Sequence, residues 1–284
     1  LVTEEVAEAI DQGVMDAAPW FDASALRTAG PEGDRKLGLG SSAAILTASI
    51  AAAWLARGDA EEGLGARVLE VALPVHQAAQ RGGSGIDVAA ACLGGVLRCQ
   101  LPVAGAAVGG EPQLTTGASG PGGTAPATLR VTAHQLPAGL CVEIYRCPEA
   151  ASTPRMLARV AKFCAEQKER YQALMAQLGE TASQVAEAGE RGGLVAALAD
   201  QLDALAALGQ GAGVPIVTEE MAQLDALARD GGACFAPSGA GGGDVAMWIG
   251  SQSSSTVFKA RAEALGLALL PMGVGARGVH RVGV

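Results

Sequence analysis

The chain has 284 residues with a formal net charge of −9, and 49% of its residues are hydrophobic but only 3% aromatic. A chain of this length buries one large core or two modest ones, which here must be built mainly from Ala, Val and Leu. The acidic balance argues against nucleic acid as a general partner, because no basic stripe is present to neutralise phosphates. The negative net charge is still compatible with a single cationic pocket for a phosphorylated small molecule.

The cysteines and apolar runs indicate the class of protein. The longest apolar run, residues 43–56, is shorter than the ~20 residues that span a bilayer. The N-terminus lacks the basic start of a signal peptide. Six cysteines show no C-x-x-C pair or metal-ligand spacing, which predicts small core residues in a reducing cytosol. We therefore expect a cytoplasmic protein with no membrane partner.

The first third of the chain is predicted to be mostly helical. Apolar residues at fourfold spacing predict an amphipathic helix over residues 2–18, followed by a strand over residues 20–28. A helix is predicted over residues 41–57. A second helical region from Ala60 is predicted to break at Pro74, which has no N–H to donate.

The rest of the chain alternates strands and helices. Strands are predicted at 96–101, 129–133, 140–145, 234–236 and 245–249. Residues 104–128 are rich in Gly, Pro, Ser and Thr, which predicts a surface loop. Residues 154–230 are predicted to be helical, with breaks at Gly192-Gly193 and at 209–215. Ser253-Ser254-Ser255 is predicted to cap a last helix that ends at Leu265.

A glycine turn directly before the helix at 41–57 is a candidate phosphate site. Gly38 and Gly40 have no Cβ, so the backbone there can approach a ligand closely. The first amides of a helix have no internal acceptor, and the helix dipole adds positive charge at that end. The Ser41 and Ser42 hydroxyls follow where a phosphate-bound cation would lie. The spacing is not that of a Walker A loop.

Three runs carry a resemblance to a known family. Gly38-Leu39-Gly40-Ser41-Ser42-Ala43-Ala44 resembles the ATP-binding signature of the GHMP small-molecule kinases. Two later runs agree with the family's motifs in the family's order: His76 to Val88, ending at Gly94-Gly95, and Ser238 to Asp244. Within the family, Lys36 and the run from His76 resemble phosphomevalonate kinases more than mevalonate kinases.

The resemblance implies an α+β GHMP kinase fold. The implied domains are an N-terminal ATP-binding α/β half over residues 1–147 and a helix-rich C-terminal half with a small antiparallel sheet over residues 148–284. The implied reaction is phosphorylation of 5-phosphomevalonate to 5-diphosphomevalonate in isoprenoid synthesis, with ATP and Mg²⁺ as cofactors. The alternatives are a mevalonate or sugar kinase of the same family and a non-catalytic GHMP-derived binding or sensor protein. A monomer or homodimer is expected.

The resemblance also assigns roles to residues. Asp87 matches the family's catalytic aspartate, and Lys36 is expected to contact the transferring phosphate. The ATP phosphates are assigned to Gly38, Leu39, Gly40, Ser41, Ser42 and Ala43, with Ser41 and Ser42 also near Mg²⁺. The substrate is assigned to His76, Arg81, Ser84, Gly85, Ser238, Gly239, Ala240 and Gly241.

Each assignment has a structural alternative. Asp87 suits a helix N-cap after Gly85, and the two serines are also ordinary cap residues. Lys36 suits a solvated loop. His76 stands about where mevalonate kinases place a metal-binding glutamate, so it is either a substrate contact or a core or capping histidine. The glycines at 239–243 form either a nest of amides for an anion or a structural turn.

Two departures from the family pattern stand out. No Pro-Gly-Lys/Arg-like motif precedes Lys36, and the sequence begins with Leu, so we expect that an N-terminal portion is missing or has been lost. Ala236-Pro237 stands where the family often carries a lysine. Arg81 is the candidate that supplies this positive charge.

Overall fold

A computed structural model describes residues 27–28, 35–36, 39–79, 84–101, 129–149 and 153–282. The predicted helix over 2–18, the predicted loop over 104–128, Gly38 and Arg81 lie outside these residues. The chain divides into two compact units, Leu1–Leu39 and Gly40–Val284. In the first unit, strand β1 (Arg27–Thr28) pairs antiparallel with β2 (Arg35–Lys36).

The second unit begins with three helices and a two-stranded sheet. These are α1 (Ser41–Ala56), α2 (Leu64–Ala79), α3 (Ile86–Leu93), β3 (Val96–Gln100) and β4 (Arg130–His134), with β3 and β4 antiparallel. Their shared core is built from aliphatic side chains: Ala43, Ala51, Val68, Leu69, Ala72 and Val88. The predictions of α1 and of both strands are confirmed. The three helices bring the first two glycine motifs to one region.

Helix α2 runs through Pro74 without a break, so the predicted interruption is wrong. Pro74 and Glu70, whose carbonyl loses its usual donor, are both exposed, and water can take the donor's place. On the opposite side of the helix, Leu69, Leu73 and His76 are buried. Burial of that face keeps Leu73 and His76 on one continuous helix.

The rest of the second unit contains five helices and a four-stranded sheet. The helices are α4 (Thr153–Glu166), α5 (Lys168–Glu187), α6 (Arg191–Ala212), α7 (Glu219–Asp230) and α8 (Thr256–Ala264). The strands are β5 (Cys141–Arg146), β6 (Cys234–Pro237), β7 (Val245–Gly250) and β8 (Ala268–Leu270), in the antiparallel order β6-β7-β5-β8. Although β5 precedes residue 147, it belongs to this sheet. The domain boundary at 147 stays a prediction.

The core beside this sheet is aromatic. Tyr145, Phe235, Trp248 and Phe258 pack edge to face, with ring centroids 4.6–5.6 Å apart. The Ser255 side chain caps α8 by accepting a hydrogen bond from the Phe258 amide at 3.1 Å, which confirms the predicted serine cap.

The predicted helix break at 209–215 is confirmed, because α6 ends at Ala212, but the break predicted at Gly192-Gly193 is wrong in position. Gly192-Gly193 and Gly209 are themselves helical. Both lie inside α6, the pair in its first turn. Gly209 lies where another part of the chain comes close, since a Cβ there would be 2.7 Å from the Val214 carbonyl oxygen. These glycines therefore serve the start and the packing of one helix, while the chain turns only at Gly213.

By length and composition, α6 is the one described helix that is apolar enough to cross a membrane. Its buried residues include Leu194, Leu202 and Leu208, and it contacts α4, α5 and β6. A core helix of a globular fold has the same properties.

The cysteines are free thiols among the described residues, and Cys92, Cys147 and Cys234 are buried. Burial raises the pKa of each of these three thiols to about 12. They are therefore unreactive core residues, as the sequence predicted.

Candidate active site

Helix α1 starts at a left-handed glycine. Gly40 has φ 74° and ψ 29°, occupies the N-cap position, and its carbonyl accepts the first helical hydrogen bond from the Ala44 amide at 3.0 Å. No side chain caps this end, so the alternative that Ser41 or Ser42 is a capping residue is wrong. The first-turn amides, from Ser41 to Ala43, have no intrahelical acceptor. They can bind an anion.

Helix α3 starts in the same way. Gly85 has φ 71° and ψ 8°, and its carbonyl accepts from the Ala89 amide at 3.0 Å. The Ser84 hydroxyl accepts from the Ile86 amide at 3.4 Å. A Cβ on Gly85 would lie 2.1 Å from Leu73 Cδ1, so glycine is required by both the backbone angle and the contact with α2.

Asp87 lies in the first turn of α3, one position after its first residue. Gly85 holds the N-cap position, so the alternative that Asp87 is the N-cap is wrong. One carboxylate oxygen, Oδ1, accepts from the Val88 amide at 3.0 Å. The carboxylate still favours the helix, because a negative charge is stabilised near the positive end of the helix dipole.

The starts of α1 and α3 meet at Asp87. A Cβ on Gly40 would lie 3.1 Å from Asp87 Cβ, which is closer than most side chains tolerate. It would lie 4.0 Å from Asp87 Oδ2. Each helix start carries the equivalent of roughly half a positive charge. A partly exposed carboxylate therefore lies beside two sets of dipoles that favour anions, an arrangement suited to a phosphate with a group to be deprotonated next to it.

His76 lies behind this carboxylate. Its side chain is buried, and its Nε2 lies 3.5 Å from Asp87 Oδ2. The core alternative for His76 is thus confirmed in its burial. In addition to packing in the core, His76 limits the positions that the Asp87 carboxylate can take.

The third glycine motif forms the loop between β6 and β7. Gly239, Gly241 and Gly242 have φ between 72° and 76°, and Asp244 has φ 56°. This confirms a tight loop at residues 238–244.

Much of the backbone of this loop is engaged by the fold. The amides of Ser238, Gly242 and Asp244 donate to the carbonyls of Val245, Ile216 and Glu149 at 2.9–3.0 Å. A Cβ on Gly241 would lie 2.4 Å from the Ile216 carbonyl oxygen.

The tip of the same loop is different. Gly239 and Ala240 are exposed, and within the described part of the chain their amides donate no hydrogen bond. The structural alternative therefore holds for the inner half of the loop, and the tip keeps the capacity to bind a ligand.

The described contacts bring together Gly40, His76, Gly85 and Asp87. They do not join this group to the loop at 238–244. Lys36 lies in β2 of the first unit. Among the described residues no three His, Cys, Asp or Glu side chains form a metal cluster.

Sequence reasoning missed Leu73, which contacts Gly85, and Ile216, which contacts the loop at 238–244. Apolar residues carry no chemical signal of such a role.

Comparisons with known proteins give the fold. No protein-family model and no curated protein matches the chain. A Lin0012 protein from Listeria innocua has a TM-score of 0.69 and 21% identity over 87% of this chain and 69% of that chain. Streptococcus pneumoniae phosphomevalonate kinase, in complex with phosphomevalonate and AMPPNP, has a TM-score of 0.59 and 20% identity over 83% and 68%.

A third structure, L. major mevalonate kinase in complex with R-mevalonate, has a TM-score of 0.53 and 14% identity over 92% of this chain and 74% of that chain. The chain has the GHMP kinase fold. The α+β class and the family fold predicted from the three motifs are confirmed. At these identities the likeness establishes the fold.

Proposed function

We propose that this chain is an ATP-dependent small-molecule kinase whose acceptor is a phosphorylated alcohol, 5-phosphomevalonate in first place. The observation that carries the proposal is the meeting of two glycine-preceded helix starts at Asp87. The fold adds support, because the similar pneumococcal enzyme holds phosphomevalonate together with an ATP analogue.

In the proposed reaction, the nucleotide phosphates bind the amides at the start of α1. An oxygen of the acceptor's 5-phosphate attacks the γ-phosphorus, the bond from the γ-phosphorus to the bridging oxygen breaks, and ADP leaves. Asp87 orients the attacking phosphate oxygen and accepts its proton when that phosphate is protonated. Asp87 Oδ1 accepts from the Val88 amide, and Oδ2 lies 3.5 Å from His76 Nε2. Positioning and charge supply the catalysis, as in other phosphoryl transfers.

Mg²⁺ is the proposed metal, and it usually keeps several waters and binds few protein groups plus substrate phosphates. Hydroxyl oxygens for it are present at the start of α1, next to the amides proposed to bind those phosphates. Ser41 and Ser42 are the residues that would hold it beside the phosphates. When bound, the ion would supply neutralisation of the charge on the phosphate oxygens.

The acceptor phosphate needs positive or N–H contacts. We assign these to Lys36 and Arg81, together with Ser84 and the exposed tip of the loop at 238–241. Replacing either cation by Met should raise the KM for phosphomevalonate far more than the KM for ATP, with added salt weakening acceptor binding. Equal effects on both substrates would place these cations on the nucleotide side.

A coupled ADP-release assay of the full-length gene product tests the proposal. The panel contains mevalonate, 5-phosphomevalonate and simple sugars, and the highest kcat/KM is expected with 5-phosphomevalonate. Mevalonate is the second candidate, because the mevalonate kinase structure shares the fold and Ala236-Pro237 lacks the expected lysine. ATP binding without turnover of any acceptor would overturn the kinase proposal in favour of a binding or sensor protein.

A further inference from the structure

A second cleft lies away from Asp87. It has a volume of about 600 Å³ and is formed by α4, the segment 213–215 and the glycine loop at Gly242. Sites for small organic molecules usually measure roughly 300–1,000 Å³. None of the residues that meet around Asp87 lines this cleft. It is therefore separate from the candidate active site.

One wall of this cleft is basic. Arg155, Arg159 and Lys162 line it from α4, at the spacing that places side chains on one face of a helix. Met156 directly follows Arg155 in the sequence, and Phe163 directly follows Lys162. Both are buried beneath α4. The three cations therefore emerge at the edge of the buried side of the helix, where they can reach into the cleft.

The charges in this wall are unbalanced. The protein as a whole carries −9, yet the cleft has three basic residues against one acidic residue, Glu149. Lys162 has a partner, Glu166, at 3.7 Å. In the described parts of the chain, no carboxylate lies within ion-pair distance of Arg155 or Arg159. Like charges four residues apart repel each other on a helix, and a bound anion would relieve that repulsion.

The cleft also has an apolar part. Val214 and Pro215 line it from the segment 213–215, and Met156 lines it from α4. Guanidinium groups bind phosphate through paired hydrogen bonds, and an apolar floor favours a carbon skeleton over a bare ion. We propose that this cleft binds a phosphate-bearing small organic molecule, with Arg155 and Arg159 on the phosphate and Met156 beside the carbon skeleton.

The site goes beyond the proposed kinase reaction, because it needs neither Asp87 nor the start of α1. It lies directly against the inner half of the glycine loop. A Cβ on Gly242 would meet the Met156 sulfur at 3.0 Å, and the Gly242 amide donates to Ile216. A ligand beside Met156 would thus contact the residues that hold the loop in place.

The experiment uses the whole chain with ¹³C-labelled methionine methyl groups, and Met156→Leu identifies the Met156 signal. Phenyl phosphate, inorganic phosphate and benzoate are the probes. We expect a saturable shift of the Met156 signal with phenyl phosphate, at lower concentration than with either other probe. Loss of two charged contacts in the double variant Arg155→Gln/Arg159→Gln should weaken binding by at least about tenfold.

A matched double variant, Arg57→Gln/Arg261→Gln, removes the same charge from exposed positions outside the cleft. It should leave the affinity within about twofold of wild type, since exposed distant charges are screened. Asp87→Asn should leave the Met156 response unchanged, which separates this site from the kinase site.

Three results would overturn the proposal. The first is a Met156 signal that does not saturate with phenyl phosphate. The second is equal weakening by the two double variants. The third is benzoate binding as tight as phenyl phosphate, which would remove the phosphate preference.

Discussion

The chain uses glycine-rich runs in two ways, and the difference lies in what their amides contact. Gly40 and Gly85 each stand before a helix. The first-turn amides of α1 have no internal acceptor, whereas in α3 the Ile86 and Val88 amides donate to the Ser84 and Asp87 side chains. The loop at 238–244 instead closes a strand pair, and the amides of Ser238, Gly242 and Asp244 already donate to carbonyls of the fold.

The contacts that an added side chain would make also differ between the helix-start glycines and the glycines of the loop at 238–244. A side chain on Gly40 would meet the side chain of Asp87, which is the candidate reacting group. A side chain on Gly241 would meet the backbone of Ile216, which cannot move aside. We therefore expect changes at the helix starts to alter binding and turnover, and changes in the inner half of the loop to alter stability.

The largest expected effect is that of Asp87→Asn. The amide keeps the size of the side chain but removes its charge and its capacity to accept a proton. Turnover should fall by roughly 10²–10⁴-fold, the usual range for a positioned acid or base. The affinity for ATP should stay close to wild type, because the proposed role of the carboxylate is toward the acceptor. Steady-state kinetics and a nucleotide titration measure the two quantities.

A thermal midpoint from the same preparation serves as the control. Asn at this position keeps the side-chain oxygen that accepts from Val88, so only a small change is expected. Retained turnover in a folded variant would remove Asp87 from the mechanism.

The second expected effect is a loss of stability in Gly241→Ala. The left-handed backbone costs a non-glycine residue about 1–2 kcal/mol, and the contact with the Ile216 oxygen adds strain of about 1–3 kcal/mol. The free energy of unfolding, from denaturant titration, should therefore fall by about 2–5 kcal/mol.

Gly239→Ala is the matched control. Gly239 has φ 72° against 76° at Gly241, and a Cβ there would meet nothing within 4 Å. It should show only the backbone cost of about 1–2 kcal/mol. Equal losses in the two variants would mean that the contact with Ile216 does not hold the loop.

Some features of the fold and of the candidate site could be predicted from the sequence, and others could not. The resemblance of three ordered motifs to the GHMP kinases predicted the fold. The glycine followed by Ser41-Ser42 predicted a helix start, because a helix start depends on local backbone preferences. Asp87 follows the N-cap because Gly85 holds that position in the left-handed conformation, and Leu73 packs where a Cβ of residue 85 would lie. A sequence pattern does not report such a long-range contact.

The wrong helix break at Pro74 has the same origin. Pro74 disfavours a helix locally, but burial of Leu73 and His76 on the same helix decides the outcome. Tertiary packing overrides propensity at this position. Likewise, the partners of the loop amides, Glu149 and Ile216, are distant in sequence and could not be read from the glycine motif.

The third expected effect concerns the start of α1. Gly40→Ala should weaken ATP binding by about tenfold, or ~1.4 kcal/mol, because the added methyl group would crowd the approach between the helix start and Asp87. A calorimetric titration with ATP measures it.

Gly63→Ala provides the comparison for this variant. Gly63 also stands directly before a helix, α2, with φ 65°, and its carbonyl accepts from the Arg67 amide, yet a Cβ there would meet nothing within 4 Å. It should show the same backbone strain with unchanged ATP affinity. Unchanged affinity in folded Gly40→Ala would exclude the start of α1 as the phosphate site.

An effect of similar size is expected for His76→Gln, which tests whether His76 acts through Asp87. His76 Nε2 lies 3.5 Å from Asp87 Oδ2, so its replacement should let the carboxylate take unproductive positions and lower kcat by about tenfold, within the ~0.5–3 kcal/mol coupling of contacting residues. Because His76 is buried, the variant should also lose some stability, and stability alone cannot identify the role. The double variant His76→Gln/Asp87→Asn separates the two effects. If His76 acts only by positioning Asp87, the double variant should turn over no more slowly than Asp87→Asn alone, although it is less stable. An additive loss of kcat would instead mean that His76 contacts the substrate directly, as the sequence-based assignment has it.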